Sequence, residues 1–369
     1  MSAVKNQEAQ SQRLSNIELL RIVAMIIIIA HHFGVHSGFS IDENLLSINS
    51  LWIRFLQMEG RIGVDIFVII TGYFLVKSKN VKTKRIIRFW LQLCFWSVSL
   101  YVVLVLIGVE TFQIKTLMKN CLPIIYGKWW FASCYFMLYL LSPYISVVLR
   151  SLSKKQYLSL LIMLGIYWCV VPTLTGIFLE SNDLLWFMYL FSLGGYIRLF
   201  DVRQKSTGMQ LIGYSILVYL LTFIISTTCK LLSHRISVLS RFANLSGMQS
   251  IPVVIIAVLL FMGFKSLDIK YSRTINTISS ATFGVYLIHD NDYVRPYIWR
   301  TVFKNAEFAR SSNVILRSIL EIIAVFTVCT ILELIRFNLI EKNYLNAITK
   351  ISDSFDMKKE NLLNRLINR

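Results

Sequence analysis

Between Asn16 and Phe33 the chain reads NIELLRIVAMIIIIAHHF. An apolar run of this kind approaches the roughly 20 residues that a helix needs to cross a bilayer. Yet it carries Glu18, Arg21, His31 and His32. A central arginine disfavours insertion by roughly 2.5–3.5 kcal/mol, so a segment built only as an anchor would omit it. The spacing predicts where these groups lie. Arg21 and His32 are separated by about three helical turns with a residual rotation of about 20°, which sets them on one face about 16 Å apart along the axis. His31 points about 80° away from that stripe. The stretch reads as a helix with a polar track running along one side.

The rest of the chain supports a membrane setting. Only 16% of its residues are charged and 56% are hydrophobic, against about 25% charged in soluble domains. The fold class expected is all-α, a polytopic membrane protein of about ten transmembrane helices with both termini cytoplasmic. The predicted spans run from about Asn16 to His36, Gly63 to Val76, Ile86 to Gly108, Trp129 to Leu149, Tyr157 to Leu179, Leu184 to Phe200, Met209 to Leu232, Ile251 to Phe264, Ala281 to Phe303 and Val314 to Ile340. Residues 1–14 read as a polar N-terminal tail, 15–345 as one membrane domain, and 346–369 as a polar, amphipathic C-terminal tail. The net charge of +18 fits positive-inside loops rather than nucleic-acid binding. KSKNVKTKRIIR follows the second predicted span, and basic residues recur in alternate loops, whereas the loop after the fifth holds Glu180 and Asp183. Lys304 and Arg310 depart from that alternation. The six cysteines form no CxxC pair, and no HExxH or paired-aspartate pattern appears, so no metal is expected. No GxSxG elbow is legible either.

Several stretches carry a resemblance. Arg21 and His32 enclose ten residues, with Glu18 three positions before the arginine. GVDIFVIITGYF follows at Gly63–Phe74, KRIIRFW at Lys84–Trp90, WWFASCYFMLYLLSP at Trp129–Pro143 and TFGVYLIHD at Thr282–Asp290. FSLGGY at Phe191–Tyr196 and LIEKNYL at Leu339–Leu345 match more loosely. In this order they resemble the integral membrane acyltransferase-3 family across about residues 15–345. Thr71 stands where that family usually has serine, Asn343 where it tends to have proline, and the basic motif lacks its customary proline. The resemblance implies transfer of an acyl group, usually acetyl, from cytoplasmic acyl-CoA to a hydroxyl of a cell-envelope glycan. No additional extracellular hydrolase-like domain is read in the chain.

Under that resemblance His32 is the expected catalytic group, as a base toward the acceptor hydroxyl or as an acyl relay. An imidazole near its ordinary pKa of about 6.5 suits either role. Arg21 is read as binding coenzyme A phosphate or pairing with a carboxylate, Glu18 among the candidates. Asp65, placed at a depth comparable with His32, is read either as orienting that imidazole or as pairing with Arg61. Lys84, Arg85 and Arg88 are the expected acyl-CoA phosphate ligands. His289, Asp290 and Trp130 are expected on the acceptor side. Glu333 with Arg336 and Arg317 with Glu321 have the spacing of structural ion pairs.

No permanently bound cofactor is expected; acetyl-CoA, or another acyl-CoA such as succinyl-CoA, is the donor. The other expected partners are a polysaccharide or lipid-linked glycan acceptor and membrane lipids, with no nucleic acid. The expected location is the bacterial plasma membrane. The competing reading is a membrane glycan exporter or acyl-transfer channel serving a separate outer enzyme, since intramembrane His and Arg also line transport paths.

Overall fold

The computed structural model describes residues 14–40, 46–58, 60–177 and 182–367, with side chains to Lys358. The predicted N-terminal tail therefore lies outside the described residues except for Leu14, as does Glu180. Helices account for the regular structure: α1 (Ser15–His36), α2 (Ile48–Gln57), α3 (Gly60–Leu75), α4 (Thr83–Leu106), α5 (Ile114–Cys121), α6 (Trp130–Ser151), α7 (Lys154–Gly165), α8 (Asp183–Leu199), α9 (Gly208–Leu232), α10 (Ile251–Lys265), α11 (Arg273–His289), α12 (Val314–Arg336) and α13 (Lys342–Ile367). No strand occurs among the described residues. Six helical stretches are long and apolar enough to cross a membrane: α1, α4, α6, α7 with its continuation to Thr175, α9, and Val314–Lys358.

The shorter α3, α8, α10 and α11 occupy the positions of the second, sixth, eighth and ninth predicted spans. The ninth differs from expectation. The apolar run read as one span to Phe303 breaks after His289, where Asn291 Oδ1 accepts from the backbone N–H of Tyr293 at 3.0 Å. The polar run HDND is the local cause, because Asx side chains offer the backbone a turn in place of the helix. The tenth span also differs. α12 passes through a π-helical segment, Phe337–Glu341, and continues into α13. That widened turn brings Glu341 into the interior at 2% exposure.

α1 is the axis of the bundle and packs against α3, α10, α11 and α12. Its buried side chains include Ile17, Leu20, Ala24, Ile28 and Ile29. α3 and α8 lie so close that their backbones touch. A Cβ on Gly72 would sit 2.0 Å from the Phe191 carbonyl oxygen, and one on Gly194 would sit 2.1 Å from that of Ile69. Small residues allow such approach, which supplies the dispersion contacts that hold membrane helices together. Gly72→Val is therefore expected to destabilise the protein by about 1–3 kcal/mol, the range for overpacking. Thermal unfolding in detergent checks this. Gly213→Ala is the control, because a Cβ there meets nothing within 4 Å.

One face of the bundle gathers both ends of the chain. Ser272 N–H donates to Ser15 Oγ at 2.9 Å, Asn16 donates to the carbonyls of Lys265 and Leu267, and Thr83 donates to Asp356 at 2.5 Å. This is the terminal face; the face holding α2 and the C-terminal end of α1 is the distal face. Close to the terminal face lies a buried ion network. Arg336 bonds Glu333 at 2.7 Å and Glu341 at 2.5 Å, and all three are at most 3% exposed. Gln92 and Trp96 of α4 donate to Glu333 at 2.9 and 2.7 Å. The i,i+3 pair of Glu333 and Arg336 and the i,i+4 pair of Arg317 and Glu321, at 2.6 Å, are both formed.

Candidate functional site

The polar track of α1 borders a cavity of about 470 Å³. Glu18, Arg21, Met25, Ile28, His32, Val35 and His36 line it from this helix, with spacings of three and four residues. From Glu18 to His36 the helix rises about 27 Å, against a hydrocarbon core of about 30 Å. The cavity therefore extends through most of the depth that a bilayer would occupy. α3, α4, α6 and α11 complete its wall with Phe67 and Thr71, Phe89, Tyr135, and Phe283 and Tyr286.

At its distal end His32 is held by α11. His32 Nδ1 lies 3.0 Å from His289 Nε2, and His289 Nδ1 lies 2.6 Å from the Val285 carbonyl oxygen. A carbonyl only accepts, so His289 Nδ1 carries the hydrogen there. With both rings neutral, His289 Nε2 then accepts and His32 Nδ1 donates. This leaves the lone pair of His32 on Nε2, which makes no hydrogen bond among the described residues. Asp290 Oδ1 stands 3.6 Å from His32 Nδ1 and takes a 2.9 Å hydrogen bond from Arg295. A positive His32 ring would thus find a buried carboxylate beside it and His289 Nε2 to receive its hydrogen bond.

At the terminal end the Arg21 Nε is buried and has no hydrogen-bond partner, and Arg21 forms no ion pair, among the described residues. Glu18 instead accepts from Ser279 of α11. Ser280 lines the same end, and Thr71 shares a 3.0 Å hydrogen bond with Tyr135 deeper along the wall. This end thus presents a guanidinium, the Glu18 carboxylate and hydroxyls to a groove whose deeper wall is largely aromatic and aliphatic.

The expected site residues divide by location. His32, Arg21, Asp290 and Trp130 line the cavity, and His289 stands behind His32. Asp65 is corrected: it is fully buried and accepts from Trp186 of α8 at 3.2 Å, on a side of α3 that does not line the cavity. Its predicted alternative partner, Arg61, lies over the Trp130 ring at 5.5 Å. The place next to His32 that sequence reading gave to Asp65 belongs to His289 and Asp290. Arg88, expected beside Lys84 and Arg85, is paired with Glu341 and tied to the ion network. Arg85 is exposed and lies one turn before the cavity-lining Phe89 on α4, at the terminal face; Lys84 sits beside it, half-buried.

His31, set aside on helical phase, does reach the cavity edge. Its Nδ1 lies 2.6 Å from the Gln57 carbonyl, and its ring lies where a Cβ on Gly60 would be, 2.3 Å from Cγ. The missing side chain at Gly60 is what makes room for it. Arg61, Arg295, His36 and Glu341 were not singled out from sequence as site groups. His36, one turn beyond His32, was the legible one. His32, His36 and Asp290 each bring a ligand atom within 4.8 Å of one another, close enough to hold a cation. The Arg295 guanidinium bound to that carboxylate opposes a second positive charge there.

Comparison with known proteins adds one finding. A family model described as an acyltransferase domain matches residues 14–334, from the start of α1 to the last turn of α12. No curated protein and no solved structure matches the chain.

Proposed function

The chain belongs to the acyltransferase-3 family, and from that premise we propose that it is a membrane-embedded O-acyltransferase that takes an acyl group from acyl-CoA at the terminal face and delivers it to a glycan hydroxyl near His32. The observation that carries the reading is the cavity along α1, with an unpaired guanidinium group near one end and an oriented imidazole toward the other. In this reading the terminal face is cytoplasmic, as its basic loops favour, and the membrane is a bacterial plasma membrane. Arg85 and Lys84 stand where the nucleotide phosphates would be held, and Arg21 stands further in. The pantetheine arm lies along the apolar wall and presents the thioester toward His32. Acetyl is the expected group, with succinyl the alternative. The acceptor is a polysaccharide or a lipid-linked glycan.

The chemistry follows from the hydrogen-bond chain. The acceptor hydroxyl oxygen attacks the thioester carbonyl carbon as His32 Nε2 takes its proton. The new C–O bond forms, the C–S bond breaks, and the departing thiolate recovers the proton from His32. Asp290 stabilises the transient imidazolium, and His289 keeps the ring in the tautomer that leaves Nε2 basic. Asp290→Asn is expected to lower kcat by about 100-fold, the lower part of the range for a positioned acid–base device, with the KM for acyl-CoA unchanged. Steady-state kinetics on purified protein measure both.

The function itself is tested by giving membranes that contain the protein radiolabelled acetyl-CoA and candidate envelope glycans. Label in the glycan fraction supports the reading. Glycan crossing the bilayer without label would favour the exporter reading instead.

A further inference from the structure

Thr71 of α3 and Tyr135 of α6 both line the cavity and share a hydrogen bond. The direction of that bond follows from the rest of the local geometry. Thr71 Oγ1 donates to the Phe67 carbonyl one turn back at 2.8 Å, which places its single hydrogen. Toward Tyr135 Oη, 3.0 Å away, it has only lone pairs to offer, so Tyr135 is the donor of that pair. The phenol hydrogen is then placed as well. Tyr135 Oη has no second hydrogen-bond partner among the described residues, and what it still presents is a lone pair.

The ring that carries this oxygen is held on both sides. It stacks on Phe89 at 6.0 Å and on Phe131 at 5.6 Å, with interplanar angles of 26° and 28°. Phe89 lies one turn beyond Arg85 on α4, toward the terminal face. Phe131 meets the Tyr286 ring at 5.5 Å, one turn before His289 on α11. Tyr135 therefore stands between the two ends of the cavity, in a stretch that Phe67, Phe89, Phe131 and Phe283 also line. A neutral acceptor that does not donate is selective in such surroundings. An N–H group that leaves water for this stretch regains an acceptor at Tyr135 Oη, whereas a carbonyl or an oxyanion gains no donor from it.

We propose that Tyr135 Oη is a donor-recognition site that accepts a hydrogen bond from an amide N–H of the pantetheine arm as the arm passes from the terminal face toward His32. This deepens the acyltransferase reading and rests on it for the identity of the molecule in the cavity. The same geometry rules Tyr135 out as a donor to the thioester oxygen, because its hydrogen points to Thr71. Binding is measured without turnover, so a failed transfer assay and a failed recognition of the arm are separate results.

The experiment uses the full-length protein in phosphatidylcholine nanodiscs and isothermal titration calorimetry. The ligands are coenzyme A, ADP as the nucleotide end without the arm, and a pair of coenzyme A analogues in which one or the other amide N–H of the arm is replaced by an ester oxygen. One analogue is expected to bind the unsubstituted protein about tenfold more weakly than coenzyme A, the size of effect that follows when a desolvated hydrogen bond is left unmade. Tyr135→Phe should weaken coenzyme A about tenfold, leave ADP as before, and no longer distinguish that analogue from coenzyme A. Equal affinity of the unsubstituted protein for coenzyme A and both analogues would overturn the proposal, as would an analogue penalty that persists in Tyr135→Phe. Unaltered coenzyme A affinity in Tyr135→Phe, or an equal loss for coenzyme A and ADP, would overturn it too, the latter by making the tyrosine a packing group. Absence of coenzyme A binding to the unsubstituted protein would overturn both this assignment and the acyltransferase reading.

Discussion

His32→Ala is expected to lower acyl transfer by 10²–10⁴-fold, the range contributed by a positioned acid–base group, while the protein folds and binds acyl-CoA as before. His32 is 13% exposed toward the cavity, and its ring has one nitrogen tied to His289 and one facing open space. Alanine removes the acceptor of the hydroxyl proton and leaves His289 Nε2 without its donor. The packing loss is small because the ring borders a cavity. The expected pattern is therefore a collapse in kcat with little change in the KM for acyl-CoA, since Arg21 lies about 16 Å away along the helix axis. Added imidazole should restore part of the rate to the alanine variant, a recovery that a purely structural histidine would not show. His31→Ala provides the comparison: its Nδ1 is engaged by the Gln57 carbonyl, so it should lose far less activity than His32→Ala.

The largest effect on stability is expected at Arg336. Its guanidinium holds two carboxylates, Glu333 and Glu341, in a space where all three side chains are at most 4% exposed. Arg336→Leu leaves Glu333 and Glu341 buried, with one positive partner, Arg88, on Glu341. Removing one member of a buried ion pair is worth about 3–5 kcal/mol because the remaining charge is uncompensated. The network ties α4 to α12 and to the π segment before α13, so loosening should begin at the terminal face. A lower unfolding midpoint in detergent, together with faster proteolysis of α13, is the expected result. A triple variant with Arg336, Glu333 and Glu341 all replaced by apolar residues should recover part of the loss, since no buried charge then lacks a partner.

The arrangement along α1 was legible from residue spacing alone. Arg21, His32 and the cavity share one stripe because a helix repeats every 3.6 residues, and no tertiary information is needed to see it. The same arithmetic misjudged His31, because it could not show that Gly60 of a neighbouring helix leaves space for a ring lying off the stripe. Asp65 illustrates a second limit. Its depth was readable from its position in a short apolar run, but the direction it faces depends on how α3 is rotated against α8, and Gly72 and Gly194 determine that contact. The partners of Arg88 and His32 lie 253 and 257 positions away in sequence. Glu341 looked like part of a polar tail, and only the π segment turns it inward. The break at Asn291 was signalled by the polar run before it, but the apolar residues on either side read as one span.

The central claim is that donor and acceptor meet in one cavity reached from opposite faces. Sealed proteoliposomes in which the protein has a single known orientation test it directly. Radiolabelled acetyl-CoA is supplied on the side of α13, and a candidate envelope glycan on the other side, with neither able to cross the lipid. The predicted result is labelled glycan in this arrangement and none when the two substrates are exchanged. Labelling only when both substrates share one side would contradict it.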